Sequence, residues 1–202
     1  MRREFLKQAE AFAFLASFFL IGIILIENKH AFDEKKNQEN PPIIILAEKN
    51  ESYRFPLGSA AVPYVFREAL KKNWVTQLDE MSQKYDCDAI EVVGHTDGVH
   101  ISRPISDFDD KIIEAIQAGD IEGIKPGSNM DLGMMRALAI IKILKESQRS
   151  GQLKRIKYFF PYSAGQMIMP DRQVVAEDAT GPDLSRRRIE IRLLKSETRR
   201  IE

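Results

Sequence analysis

The 202-residue chain carries 30 basic and 30 acidic side chains, so its formal charge is zero and capture of nucleic acid by bulk electrostatics is disfavoured. Its single cysteine, Cys87, excludes an internal disulfide and any metal centre built on several thiolates. The length suits one ordinary domain plus a small appendage.

The N-terminus departs from this average. Ala11–Ile26 (AFAFLASFFLIGIILI) holds no charge and only one polar residue, Ser17. As a helix it spans ~24 Å, and the flanking residues Gln8–Glu10 and Glu27 extend it towards the ~30 Å of a hydrocarbon core. Arg2, Arg3 and Lys7 precede it and favour a cytoplasmic N-terminus. The run ends in ENKHAFDEKKN with no A-x-A-like site, which favours an uncleaved anchor over a cleaved signal peptide. Three regions are expected: residues 1–27 as cytoplasmic N-terminus and transmembrane helix, 28–42 as a polar linker with a reach of ~50 Å if extended, and 43–202 as the folded unit.

Within that unit short strands are expected at Ile43–Ala47 and Ser52–Phe55. Apolar residues at Val62, Val65, Phe66, Ala69, Leu70, Trp74, Leu78 and Met81 follow helical spacing and predict a helix over Val62–Tyr85. A strand is expected at Ala89–Gly94. Ser106–Gly119 reads as a short helix with Ser106 and Asp109 spaced as a capping box. Met130–Ser147 reads as a long one, capped through Ser128 and Asp131. Strands are expected again at Arg155–Tyr162 and Arg188–Leu194. The pattern predicts an α/β (α+β sandwich) fold, a mixed sheet with helices packed on one face.

Four separated segments carry candidate chemistry: FPLGSA (Phe55–Ala60), GHTDG (Gly94–Gly98) at a strand end, NMDLGMMRA (Asn129–Ala137) opening a helix, and RRRIEIRLL (Arg186–Leu194). Together, in this order, they resemble the OmpA/MotB C-terminal domain, the peptidoglycan-binding module also found in Pal. The match runs through Gly94-His95-Thr96-Asp97, then Asn129, Leu132, Gly133, Arg136 and Ala137, then Arg187-Arg188-Ile189-Glu190-Ile191, and covers about residues 52–195. Two departures stand out. Asp97 and Asn129 lie 32 positions apart, much further than in the family, so residues 99–127 form an insertion that could cover the cleft or bind a partner. Arg186 stands where the family often has Asn.

The residues themselves fit this resemblance. A helix places Asn129, Gly133 and Arg136 on one face. Gly133, lacking a side chain, leaves room for something to approach between them. The helix N-terminus and the Arg136 fork suit a carboxylate, and Asp97 can accept from an ammonium. Such a pair suits an amino-acid zwitterion. The resemblance implies that the ligand is the diaminopimelate of the peptidoglycan stem peptide, held mainly by Asp97 and Arg136, with Thr96, Asn129 and Arg188 as further contacts. Asp97 and Arg136 could alternatively form an ion pair that pins a loop to a helix. Met130, Met134 and Met135 read as core filling rather than a cofactor box. A metal site at His95, Asp97 and His100 is disfavoured because His100 lies past Gly98, and Ser59 and Ser163 have no evident base partner, which disfavours hydrolase chemistry. Neither an enzyme nor a cofactor is expected.

The apolar N-terminal run is similar in layout to that of MotB and of the B subunits of Zorya-type defence complexes. Glu10 stands in the place of the ion-carrying aspartate, with Phe18-Phe19-Leu20 in register. A carboxylate buried against partner helices would carry protons, whereas a solvated Glu10 beside Lys7 would not. The resemblance implies a single-pass protein of the bacterial inner membrane with its C-terminal domain in the periplasm. It further implies a homodimer and a MotA-like multi-helix membrane partner. The alternative is a protein–protein interaction module that uses the domain and its insertion without ion transport.

Overall fold

The computed structural model describes residues 21–22, 40–101, 106–118, 123–176 and 179–196. The chain divides into Met1–Asn40 and Pro41–Glu202, and the second unit holds every element named below. The expected anchor, with Glu10, lies outside the described residues apart from Ile21 and Gly22. Among the described residues no helix is long and apolar enough to cross a membrane.

Four strands, β1 (Ile44–Ala47), β2 (Ala89–His95), β3 (Tyr158–Gly165) and β4 (Arg188–Leu194), form one mixed sheet in the order β1-β4-β2-β3. β4 pairs antiparallel with both β1 and β2, while β2 and β3 run parallel. Alternation along the strands sorts their residues by face. Ile44, Leu46, Ile90, Val92, Ile189, Ile191 and Leu193 enter the main core. His95, Arg188, Glu190 and Arg192 take the other face, which explains why the last strand alternates apolar and charged residues so regularly.

The first helical segment runs from α1 (Tyr64–Leu70) through a wider turn at Lys71–Val75 into α2 (Thr76–Lys84). Phe66, Leu70, Val75 and Leu78 are its buried stripe, within the span that the apolar spacing predicts. The second strand expected, Ser52–Phe55, is instead a single tight turn at Glu51–Tyr53. Asn50 starts it by accepting the Ser52 N–H at 3.0 Å. Tyr53 and Phe55 both turn inward, each packing edge-on against Phe66.

α3 (Phe108–Ala118) and α4 (Asn129–Arg149) lie between β2 and β3. Ser128 caps α4 as expected, accepting the Asp131 N–H at 3.1 Å. The capping box expected at Ser106 and Asp109 does not form. Ser106 Oγ accepts from the Phe108 N–H and donates to Asp131 Oδ2, so it joins the insertion to the start of α4. Ile124 and Ala115 from the insertion form a second core with Leu132, Met135 and Leu138 of α4. β3 starts three residues later than expected because Leu153 turns through a positive φ of 50° and Ile156 is buried ahead of the strand.

α4 crosses β2 at two glycines. A Cβ on Gly94 would lie 2.7 Å from the carbonyl carbon of Gly133 and closer still to its oxygen. One on Gly133 would lie 2.8 Å from the Gly94 oxygen and would also strike Ser163 Oγ. The room at Gly133 expected for a ligand is therefore filled by the protein's own sheet.

Candidate functional site

β2 delivers GHTDG to one end of the sheet with a change of register. Gly94 pairs with Ser163, but His95 pairs with Gly165. Thr96 N–H then donates to Gly165 O at 2.8 Å, and Gly98 bridges to Gly181. Asp97, held at this tip, accepts from the Val99 and Asp183 N–H groups, both at 3.3 Å.

α4 supplies the facing side. Asn129 Nδ2 donates to Val99 O at 3.0 Å, tying the helix start to the beginning of the insertion. Asp131 Oδ2 accepts from Gly127 N–H and Ser106 Oγ. Burial opposes ionisation of Asp131, but these donors together with Ser128 hold its carboxyl below the ordinary range. Two turns along, Arg136 is fully buried. Its Nε donates to Ser59 O at 3.0 Å, and its guanidinium lies 4.8 Å from the centre of the Phe55 ring. The FPLGSA segment is thus the cradle of this arginine.

Arg136 and Asp97 are not each other's ion-pair partner. Arg136 Nη1 lies 3.3 Å from Glu48 Oε1. The other Glu48 oxygen lies 3.0 Å from Arg187 Nε, and Arg187 Nη1 lies 3.7 Å from Asp97 Oδ2. The result is an alternating chain, Arg136–Glu48–Arg187–Asp97. Both Glu48 oxygens, Arg136 Nη1 and Arg187 Nε are buried and approach as ion pairs without hydrogen-bond geometry. Burial raises the Glu48 carboxyl despite its two arginines, and burial pulls the Arg136 guanidinium down to about 10 against the pull of Glu48 and Asp97.

A cavity of about 220 Å³ opens where these parts meet. Thr96, Asp97, Asn129, Arg136 and Arg187 give it polar walls, while Leu57, Val99, Ile101, Pro126 and Leu132 give it apolar ones. Of the residues expected from sequence, Thr96, Asp97, Asn129 and Arg136 line this one space. Arg188 does not. It lies on the opposite face of β4, where Nε and Nη2 hold Glu190 Oε1 at 3.0 and 2.9 Å and Nη2 also reaches Met169 O at 3.2 Å. A shift of one residue along a strand reverses the face, and the arginine that reaches the cavity is Arg187.

His95 shares that opposite face, with Nε2 3.2 Å from Glu190 Oε1. It is thereby separated from Asp97 and from His100, which lies at the cavity rim. Among the described residues no group of three or more His, Cys, Asp or Glu side chains is placed to hold a metal ion. Burial would raise the Glu190 carboxyl, but His95, Arg192 and Arg188 more than offset it and hold the group well below the ordinary carboxylate range.

Sequence reasoning missed Glu48 and Arg187. Arg187 is signalled by its place in the RR pair, but the pair does not say which member faces the helices. Glu48 is signalled only as an acid closing an apolar strand.

No protein-family model matches the chain, and no curated protein matches it. Among solved structures it is similar to a MotB-like protein from Desulfovibrio vulgaris, at 10% identity and a TM-score of 0.41 over 76% of this chain and 74% of that one. It is also similar to the OmpA-like domain of FopA1 from Francisella tularensis subsp. tularensis, at 13% identity and a TM-score of 0.35 over 76% of this chain and 75% of that one.

Proposed function

We propose that the domain binds peptidoglycan non-covalently, taking the diaminopimelate of the stem peptide into the cavity between the β2 tip and the start of α4. One observation carries this reading. Thr96, Asp97, Asn129 and Arg136, separated in sequence and taken from the motifs that resemble the OmpA/MotB domain, line one cavity together. Asp97 offers a carboxylate to an ammonium; Arg136 and Arg187 offer guanidinium edges to a carboxylate. The cavity suits an amino-acid head rather than a drug-sized ligand, whose pockets begin at about 300 Å³.

The test is co-sedimentation of the full chain, in mild detergent, with purified sacculi. Asp97→Asn and Asn129→Ala should each cut the bound fraction several-fold, and free diaminopimelate should compete with the wild type. Undiminished retention in both variants refutes the site.

On this reading Ala11–Ile26 anchors the protein in the inner membrane, the domain lies in the periplasm, and the chain is the B-type subunit of an ion-driven complex, a homodimer with a MotA-like partner. The layout of the apolar run around Glu10 supports this assignment. Purification from detergent-solubilised membranes should bring down a multi-helix subunit, and Glu10→Gln should stop ion flux without releasing it. If no such subunit is recovered, the motor assignment fails while the cell-wall reading stands. A second reading, an insertion that grips another protein, is favoured by Ile113 and Ile116, which are 65% and 43% exposed on α3. Replacing both with glutamate should then abolish capture of that partner and leave sacculus binding intact.

A further inference from the structure

Glu48 does not line the cavity, yet it lies behind both guanidiniums that do. It is 1% exposed, and its two oxygens are divided between Arg136 at 3.3 Å and Arg187 at 3.0 Å. Asp97 follows on the far side of Arg187, 3.7 Å from its Nη1. The four groups sum to zero. Without Glu48, the same walls would present two cations and one anion.

We propose that Glu48 sets the charge class of the cavity's occupant: with it the site takes a zwitterionic ligand bearing both ammonium and carboxylate, and without it the site takes a dicarboxylate. This rests on the reading of the cavity as the ligand site. The physical reason is that a fixed charge a few ångströms from a partly desolvated ligand acts on it at low effective dielectric, where one unit changes relative affinities by an order of magnitude or more. Glu48 also holds the two arginines apart, one on each oxygen, so that Arg136 stays off Asp97 while Arg187 spans from Glu48 to Asp97. Glu48 is thus a positioning residue of the site, supplied by the end of β1. Its N–H donates to Arg187 O at 3.0 Å, which continues the ladder between β1 and β4.

Two probes of one chain length separate a charge effect from simple damage: meso-diaminopimelate, and pimelate, which lacks both amino groups. Each is titrated into the full chain and into Glu48→Gln, with binding followed by NMR. The wild type should prefer diaminopimelate. In Glu48→Gln the preference should move towards pimelate by roughly tenfold or more. A parallel loss of both ligands, or an unchanged ratio in a variant that still melts cooperatively, overturns the proposal. Should Glu48→Gln fail to fold, Arg187→Gln, which leaves Glu48 with a single cation, must move the preference the opposite way, and a fixed ratio there overturns it too. A wild type that binds neither diaminopimelate nor sacculi overturns the functional reading and this inference with it. A wild type that binds diaminopimelate while the variants keep its ratio overturns this inference alone.

Discussion

Replacing Gly94 with alanine tests how the site is held in register. The new methyl would stand 2.7 Å from the Gly133 carbonyl carbon and 3.0 Å from its Cα, against a normal carbon–carbon contact of about 3.5–4.0 Å. The atoms it meets are backbone, so no rotamer change relieves the clash. α4 must move off β2 by roughly 1 Å, with Asn129 and Arg136 riding on it. Overpacking of this kind costs about 1–3 kcal/mol, and rigid neighbours place this case at the upper end. In a domain of this size each kcal/mol lowers Tm by about 2–4 °C, so a loss of roughly 6–12 °C is expected. The assay is thermal unfolding followed by circular dichroism, with Gly123→Ala as control, since nothing lies within 4 Å of a Cβ there. The control should melt within a degree or two of wild type. Sacculus retention of Gly94→Ala, measured well below its Tm, should also fall. A Gly94→Ala protein that melts with wild type would refute the close helix–sheet crossing and the site geometry built on it.

Arg136→Met should destabilise the domain by up to about 3 kcal/mol, because it takes one of its two cations from the buried Glu48 carboxylate and leaves only Arg187; the Arg136→Met/Glu48→Gln double variant, measured by urea unfolding, should recover part of that loss. Tyr53 OH accepts from Trp74 Nε1 at 2.8 Å, so Tyr53→Phe should cost about 1–3 kcal/mol by leaving that donor unpaired, read through the fluorescence of the single tryptophan during unfolding. Glu190 contributes to the acid limb. Its carboxyl is depressed in the folded state, so its contribution is present above the unfolded value of about 4.3 and is lost as pH falls below it. Glu190→Gln should therefore be less stable than wild type at pH 7, with the gap in Tm narrowing as the pH is lowered through 4. Glu48, raised by burial, works with the opposite sign: its contribution is fully present at low pH and lost as pH rises through its folded value.

The parts of the fold that rest on periodicity were legible in the residues. The α1–α2 stripe, the long α4 with its Ser128 cap and the alternating β4 all depend on local spacing, and each lies within a residue or two of its expected place. What spacing cannot supply is a contact between distant segments. Ser52–Phe55 has the residue types of a strand, yet Asn50 turns it and Phe66 draws both rings inward. Ser106 has the offset of a capping box, yet Asp131, 25 positions later, takes its hydroxyl. The same limit applied at the site. The motifs gave four residues that line the cavity, but the choice between Arg187 and Arg188 depends on strand phase, and Glu48 enters only because β1 pairs with β4. Gly133 looks like space for a ligand in the sequence because its neighbour across the interface, Gly94, lies 39 positions upstream.

The brevity of β1 has a practical consequence. It is four residues long, it forms one border of the sheet, and the carboxylate that balances two arginines follows it directly. The motif resemblance begins near Ser52, which invites trimming the chain at that point. A fragment starting there would bare the outer rim of β4, inviting strand-to-strand clumping, and would hand the pocket an excess of positive charge. Binding measured on it would report on a different molecule, whereas a cut before Pro41 keeps both the rim and the counter-charge.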